Sequence, residues 1–199
     1  MKYARVMLVL IVCSVCLAGN VGCATEKRKG LIEKTRYVLK DAESRQIVHE
    51  HFSADCFNRC WTLIDKKTRT DAETEDMVLL AGASLWHWKE RNDCKPKNLS
   101  VAYWQLGRVH CLAGDTDAAK QFGGKCIKVS VDGKVPAFYL GYGYEVMANA
   151  SLLAGESKNA RRYLDLARSQ LAQVTDKESK KLLDADLSAI QKQLEHPTK

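Results

Sequence analysis

Proline and glycine are both scarce in this sequence, and their scarcity favours helices. The 199 residues include 3 prolines and 12 glycines. Pro96 and Pro136 lie between segments of periodic apolar residues and Pro197 follows the last such segment, so none of the three interrupts a helix. The length suits one ordinary domain with a substantial core and a short appendage, and it is short for two domains.

Recognised catalytic signatures are also lacking. The sequence contains no GxSxG, HExxH, dinucleotide-binding or phosphate-binding glycine motif, and Gly141-Tyr142-Gly143 is an isolated fragment within a predicted helix. We therefore predict a protein that is not an enzyme and that uses no cofactor. His49 and His51 lie two residues apart, on different faces of a helix. They make a poor metal-binding pair, and no metal site is predicted.

Positive charge is only in modest excess, with a formal net charge of +7. Lys2 and Arg5 contribute two of these charges, and the others form no basic stripe with interleaved aromatic residues. We therefore expect no nucleic-acid partner. The dispersed charge fits a solvated surface or a weak attraction to anionic lipid head groups.

Residues 1–22 are predicted to be an export signal. Lys2 and Arg5 precede an apolar run, Val6 to Leu17, that is shorter than the ~20 residues of a membrane-spanning helix. The segment ends in Gly22-Cys23 and resembles a bacterial lipobox, which implies that Cys23 is acylated and that a linker, 23–41, tethers the protein to an envelope membrane. Asn20 departs from the aliphatic residue usual in that signal. A cleaved secretory signal, giving a secreted or periplasmic soluble protein, and an uncleaved anchor are the alternatives.

Five cysteines remain once Cys13, Cys16 and Cys23 are assigned to the leader: Cys56, Cys60, Cys94, Cys111 and Cys126. An odd number excludes a complete set of disulfides within the domain. The spacing of Cys56 and Cys60 is not the CxxC of redox or zinc sites. We expect all five thiols to pack as small hydrophobic groups.

Apolar residues recur at three- and four-residue spacing over residues 42–195, which predicts an all-α domain of seven helices. Capping boxes at Thr70–Glu73 and Thr175–Glu178 predict the starts of the second and seventh helices. The first helix is expected to place on one side Phe52, Phe57, Trp61 and Ile64. The seventh carries a stripe that would close the end of a helical stack: Leu183, Leu187, Ile190 and Leu194.

A repeat is visible when Leu112–Ala119 is aligned with Leu153–Ala160, an offset of 41 residues. The alignment continues with Tyr103 over Tyr144, Leu106 over Met147, Gly107 over Ala148, Phe122 over Tyr163 and Cys126 over Ala167. This order of aromatic, aliphatic and small residues around a glycine turn resembles the tetratricopeptide repeat, usually ~34 residues long. The resemblance implies a right-handed stack of antiparallel helix pairs. Segments such as Phe57–Trp61 and Ser84–Trp88 also resemble a family of small bacterial helical proteins to which no activity is assigned.

In tetratricopeptide domains, the first helix of each pair lines a concave groove that binds peptides. The resemblance assigns to this groove Val101, Trp104 and Arg108 from the third helix, and Tyr142, Glu145 and Asn149 from the fifth. Trp104 would anchor a partner and Arg108 would hold a carboxylate. Alternatively, Arg108 and Glu145 pair with each other. We accordingly expect a membrane-tethered, non-enzymatic scaffold that binds an unidentified protein or peptide.

The sequence Trp86-His87-Trp88 offers an alternative site. A histidine flanked by aromatic residues could titrate near neutral pH. His87 and Trp88 could line a pocket for a small ligand, and an enzyme could use His87 with Glu145 or Arg108. Because consecutive helical residues point in different directions, at most two of these three side chains can share a pocket. Aromatic packing at a helix end is the simpler interpretation.

Overall fold

The computed structural model describes residues 41–196. The predicted signal peptide, Cys23 and the linker as far as residue 40 lie outside the described residues. Within 41–196 all regular structure is helical, which confirms the prediction of an all-α stack. The seven helices are α1 (Ala42–Ile64), α2 (Asp71–Glu90), α3 (Pro96–Ala113), α4 (Thr116–Asp132), α5 (Ala137–Leu153), α6 (Ser157–Leu171) and α7 (Lys177–Glu195). None of these is long and apolar enough to cross a membrane.

Consecutive helices pack as pairs: α1 with α2, α3 with α4, and α5 with α6. The loops between them are short, so neighbouring helices run antiparallel. The first helices of the pairs also meet one another, because α3 contacts α1 and α5, while α7 contacts α5 and α6. The helices α1, α3, α5 and α7 therefore form one layer of the stack, and α7 closes its end.

The first predicted capping box is confirmed at α2. The hydroxyl of Thr70 accepts the Glu73 N–H at 3.2 Å, and the Glu73 carboxylate accepts the Thr70 N–H at 2.9 Å. The second helix start lies one residue later than the predicted capping box. Asp176, rather than Thr175, is the N-cap of α7 and accepts the Ser179 N–H at 2.8 Å. A carboxylate is preferred to a threonine hydroxyl at this position, since it also interacts with the positive end of the helix dipole.

The aligned glycines and small residues occupy equivalent places in the two repeats. Gly114 and Gly155 follow α3 and α5 with φ angles of 78° and 74°, a left-handed conformation that glycine adopts without strain. Five of the aligned small residues are fully buried, with 0% solvent exposure: Ala119, Cys126, Ala148, Ala160 and Ala167. A Cβ atom on Gly107 would lie 2.7 Å from a methyl group of Val146. Residues of the repeat thus lie at points where neighbouring helices of the stack approach closely.

The core stripe of α1 is shorter than predicted. Phe57, Trp61 and Ile64 are buried, but Phe52 is 39% exposed and its ring contacts His51 and His87. At 3.6 residues per turn, Phe52 lies ~180° around the helix from Trp61, so the two cannot face the same core. In α7 the predicted stripe is buried throughout, at Leu183, Leu187, Ile190 and Leu194.

The five domain cysteines are free thiols that pack as predicted. Four are buried, and Cys94 is half-buried against the core. Burial raises the pKa values of Cys60 and Cys111 to about 12. These thiols are therefore protonated at neutral pH and behave as small apolar side chains.

Candidate functional site

The six residues assigned to a concave groove lie on α3 and α5, and several of them contact one another. Trp104, Tyr142 and Glu145 are buried, whereas Val101, Arg108 and Asn149 are partly exposed. The indole N–H of Trp104 donates to Oε2 of Glu145 at 3.2 Å, and the Trp104 and Tyr142 ring centroids are 5.0 Å apart. The structure also shows the predicted ion pair, with Nη1 of Arg108 lying 3.9 Å from Oε1 of Glu145.

Glu145 is a carboxylate inside the helical stack, with only 3% of the residue exposed. Burial raises its pKa from the usual 4.5 to about 7, although Arg108 and the Trp104 N–H oppose this shift. Asp186 of α7 adds a smaller contribution in the same direction as burial. The carboxyl group consequently changes its protonation state close to neutral pH.

Aromatic contacts continue through the layer of first helices. Trp61 of α1 packs on Trp104 at 5.9 Å between centroids, and Tyr142 donates its hydroxyl hydrogen to Oδ2 of Asp186 at 3.1 Å. A cavity of about 10 Å³ lies beside this cluster, lined by Ser100, Val101, Trp104, Tyr139 and Tyr142. That volume suits at most a single water molecule. These side chains link four helices, and the cavity beside them is too small for a peptide side chain.

A much larger depression lies between α1 and α2. Its volume is about 410 Å³, and its lining consists of Arg59, Thr62, Leu63, Asp76, Leu79, Leu80 and Ala83. We call it the α1/α2 groove. Four of its residues are apolar, and Leu79 is 60% exposed. Arg59 and Asp76 place opposite charges on the two walls.

The groove is not among the sites predicted from the sequence, although α2 contains a signal for it. Leu80 has the spacing of a core-facing residue with Met77, Ala81 and Leu85, but it is only partly buried and lines the groove. Leu79 and Ala83 add apolar groups beside that stripe. A helix with apolar residues beyond one core-facing stripe has a second surface to cover.

His87 contacts α1 and does not share a pocket with Trp88. Its Nδ1 atom lies 3.0 Å from Nδ1 of His49, and the exposed ring of Trp86 packs against both imidazoles. Trp88 is buried instead, beneath the Arg91 guanidinium at 4.0 Å. Neither the α1/α2 groove nor the cavity beside Trp104 includes His87.

His49 is half-buried, and its Nδ1 atom contacts that of His87. Burial and, to a lesser extent, the neighbouring His49 lower the pKa of His87. Across residues 41–196, no three histidine, cysteine or acidic side chains come together in an arrangement suited to a metal ion.

A comparison with models of known protein families found no match to this chain, and comparisons with curated proteins and with solved structures found none either.

Proposed function

We propose that this protein is a non-enzymatic scaffold that binds an amphipathic helix of a partner protein in the α1/α2 groove. Acylation of Cys23 would hold it at a membrane of the bacterial envelope. The groove is the single observation that carries the binding proposal. In the described part of the chain, α1 and α2 pack on each other and on α3, and every residue that lines the groove belongs to α1 or α2.

The shape of the groove favours a helix as its occupant. From Asp76 to Ala83 its α2 wall spans about two helical turns, ~10 Å at 1.5 Å per residue. A depression between two packed helices accepts the ridge of a third helix that carries apolar residues at positions i, i+3 or i+4, and i+7. Leu63, Leu79 and Leu80 offer the apolar contact for such a ridge.

The charges on the two walls of the groove predict which charged residues the partner helix carries along its edges. Arg59 on the α1 wall has a side chain that is 63% exposed, and Asp76 on the α2 wall is also exposed. A complementary helix would therefore carry acidic residues along its edge nearest α1 and basic residues along its edge nearest α2. Arg59 already lies 3.6 Å from Asp55, but this ion pair is solvent-exposed and weak enough to exchange.

The groove predicted from the resemblance is less suited to a partner, because Trp104, Tyr142 and Glu145 bury one another there. Only Val101, Arg108 and Asn149 of the predicted groove are partly exposed. The likeness of the two repeats to tetratricopeptide pairs supports a scaffold, and the lipobox-like segment supports a membrane tether. The alternative of a small-ligand receptor or enzyme using His87 has no cavity at that residue among those described above.

Site-specific photo-crosslinking in the native host tests the groove. A photoreactive amino acid replaces Leu79 in one full-length protein and Leu153 in a second. Leu153 is a matched control, being 51% exposed at the end of α5. We expect one defined adduct with another protein from position 79 and none from position 153. Arg59→Glu and Asp76→Lys should each reduce that adduct several-fold, because each creates a like-charge contact.

Three results would contradict the proposal. Equal crosslinking from positions 79 and 153 would show that the groove has no preference for a partner. Adducts formed only between copies of this chain would make the groove a self-association surface. An adduct that is insensitive to both charge reversals would rule out the predicted arrangement of the partner helix.

A further inference from the structure

The imidazoles of His49 and His87 face each other across the contact between α1 and α2. Their Nδ1 atoms are 3.0 Å apart, whereas their ring centroids are farther apart, at 5.0 Å. The two nitrogen atoms therefore lie on the facing edges of the rings. Because α1 and α2 each supply one ring, both imidazoles have rigid helical supports.

The separation of the nitrogen atoms matches two neighbouring ligands of one ion. A zinc–imidazole bond is ~2.0–2.1 Å long, so two such ligands at a right angle are ~2.9 Å apart, and at the tetrahedral angle ~3.3 Å apart. The observed 3.0 Å lies between these values and closer to the first. Right-angled ligand positions are characteristic of tetragonal and octahedral centres, which copper(II) and nickel(II) adopt with nitrogen and oxygen ligands.

We propose that His49 and His87 together bind one divalent first-row transition-metal ion through their Nδ1 atoms, linking α1 to α2. In the metal-free pair one Nδ1–H donates a hydrogen bond to the other Nδ1. On binding, both rings carry their proton at Nε2, so the neutral pair releases no proton. Two protein ligands leave the other coordination positions to water, or to a donor group of a partner molecule.

The surroundings are compatible with this role. His87 is half-buried, and burial together with His49 lowers its pKa, which favours the neutral imidazole that a metal ion requires. Trp86 lies against both rings, at 5.1 Å from His49 and 4.8 Å from His87 between centroids, and is 54% exposed. Its indole provides a built-in fluorescent reporter for an ion bound between them.

Titration of the full-length protein with Ni²⁺ tests the site. Nickel is suitable because it does not oxidise the free thiols. The protein is purified in detergent with a histidine-free tag and stripped with a chelator, and binding is followed by calorimetry. We expect one ion per chain, and at least ~10-fold weaker binding for His49→Gln and for His87→Gln, since each variant lacks one nitrogen ligand. His51→Ala and His110→Ala are the controls and should bind as the wild type does.

Two further readouts do not depend on the basal stability of a variant. Ni²⁺ should quench the fluorescence of the wild type, and Trp86→Phe should lose most of that quenching while its calorimetric affinity is unchanged. The ion should also raise the Tm of the wild type and of His51→Ala, but not that of His49→Gln or His87→Gln. The proposal is overturned if the wild type binds no Ni²⁺ at millimolar concentration, or if the two glutamine variants bind it as tightly as the wild type. Either result would show that the two rings only share a hydrogen bond.

Discussion

Trp104 and Glu145 occupy the same position in the two repeats and are hydrogen-bonded to each other. They lie 41 residues apart, which is the offset of the repeat, and Nε1 of Trp104 donates to Oε2 of Glu145 at 3.2 Å. Two residues at equivalent positions of the sequence repeat are therefore in direct contact between α3 and α5. Equivalent positions of stacked repeats lie side by side, so a residue at such a position meets its own counterpart.

Glu145→Gln should change how stability depends on pH. Burial raises the pKa of Glu145 from 4.5 to about 7 in the folded protein. Its favourable contribution to stability is therefore fully present below pH 4.5 and decreases as the pH rises through 7. Relative to the wild type, Glu145→Gln should thus gain roughly 2–3 kcal/mol in free energy of unfolding between pH 5 and pH 8. Urea denaturation at four pH values measures this difference.

Glu156→Gln provides the control for this prediction. Glu156 is more exposed, and its hydrogen bonds with Lys120 and Asn159 lower its pKa. Its stabilising contribution is therefore constant above pH 5, and the difference between Glu156→Gln and the wild type should not vary from pH 5 to pH 8. If Glu145→Gln behaves in the same pH-independent way, Glu145 does not titrate near neutral pH.

Gly107→Ala and Gly124→Ala should affect stability in opposite directions. At Gly107 a Cβ atom would lie 2.7 Å from Val146, whereas at Gly124 it would meet nothing within 4 Å. We expect a loss of ~1–3 kcal/mol at Gly107 from overpacking. At Gly124 we expect the free energy of unfolding to rise by ~0.5–1 kcal/mol, because alanine loses less backbone freedom than glycine when the helix forms. Both values come from urea denaturation of the full-length protein, and a loss of the same size at both positions would argue against close packing of α3 on α5.

Substitutions of Gly155, in the turn after α5, should reduce stability according to how poorly the new residue tolerates a left-handed backbone. Gly155 has a φ of 74° and no atom within 4 Å of a hypothetical Cβ, so only the backbone opposes a side chain there. Gly155→Val should cost ~1–2 kcal/mol or more, and Gly155→Asn distinctly less, because asparagine tolerates the left-handed conformation. Thermal unfolding of both variants measures the difference, and identical melting temperatures would count against the assigned turn.

Cys23→Ser tests the predicted membrane tether. If Cys23 is acylated, the wild-type protein should incorporate labelled fatty acid and partition into a detergent phase, and the variant should do neither. Cys94→Ser is the control, since Cys94 is a half-buried thiol of the domain. A wild-type protein that stays in the aqueous phase without label would exclude the lipoprotein prediction and favour a cleaved secretory signal.

The sequence by itself determined the helical architecture. Apolar spacing predicted all seven helices, and the aligned small residues predicted where helices approach closely, as the burial of Ala119 and Ala160 shows. These features are local, because helix period, capping and glycine turns depend on residues within one or two turns of each other. The tetratricopeptide likeness and the export signal are predictions of the same kind that still await their tests.

Only the tertiary structure decided which side chains meet. The pairing of His49 with His87, the burial of Glu145 and the groove beside Leu79 each depend on how a helix is rotated against its neighbours. A periodic pattern defines the apolar face of one helix but contains no information on the residue that will lie opposite. His49 and His87 are 38 residues apart, and the 3.0 Å between their nitrogen atoms exists only because α1 and α2 pack together.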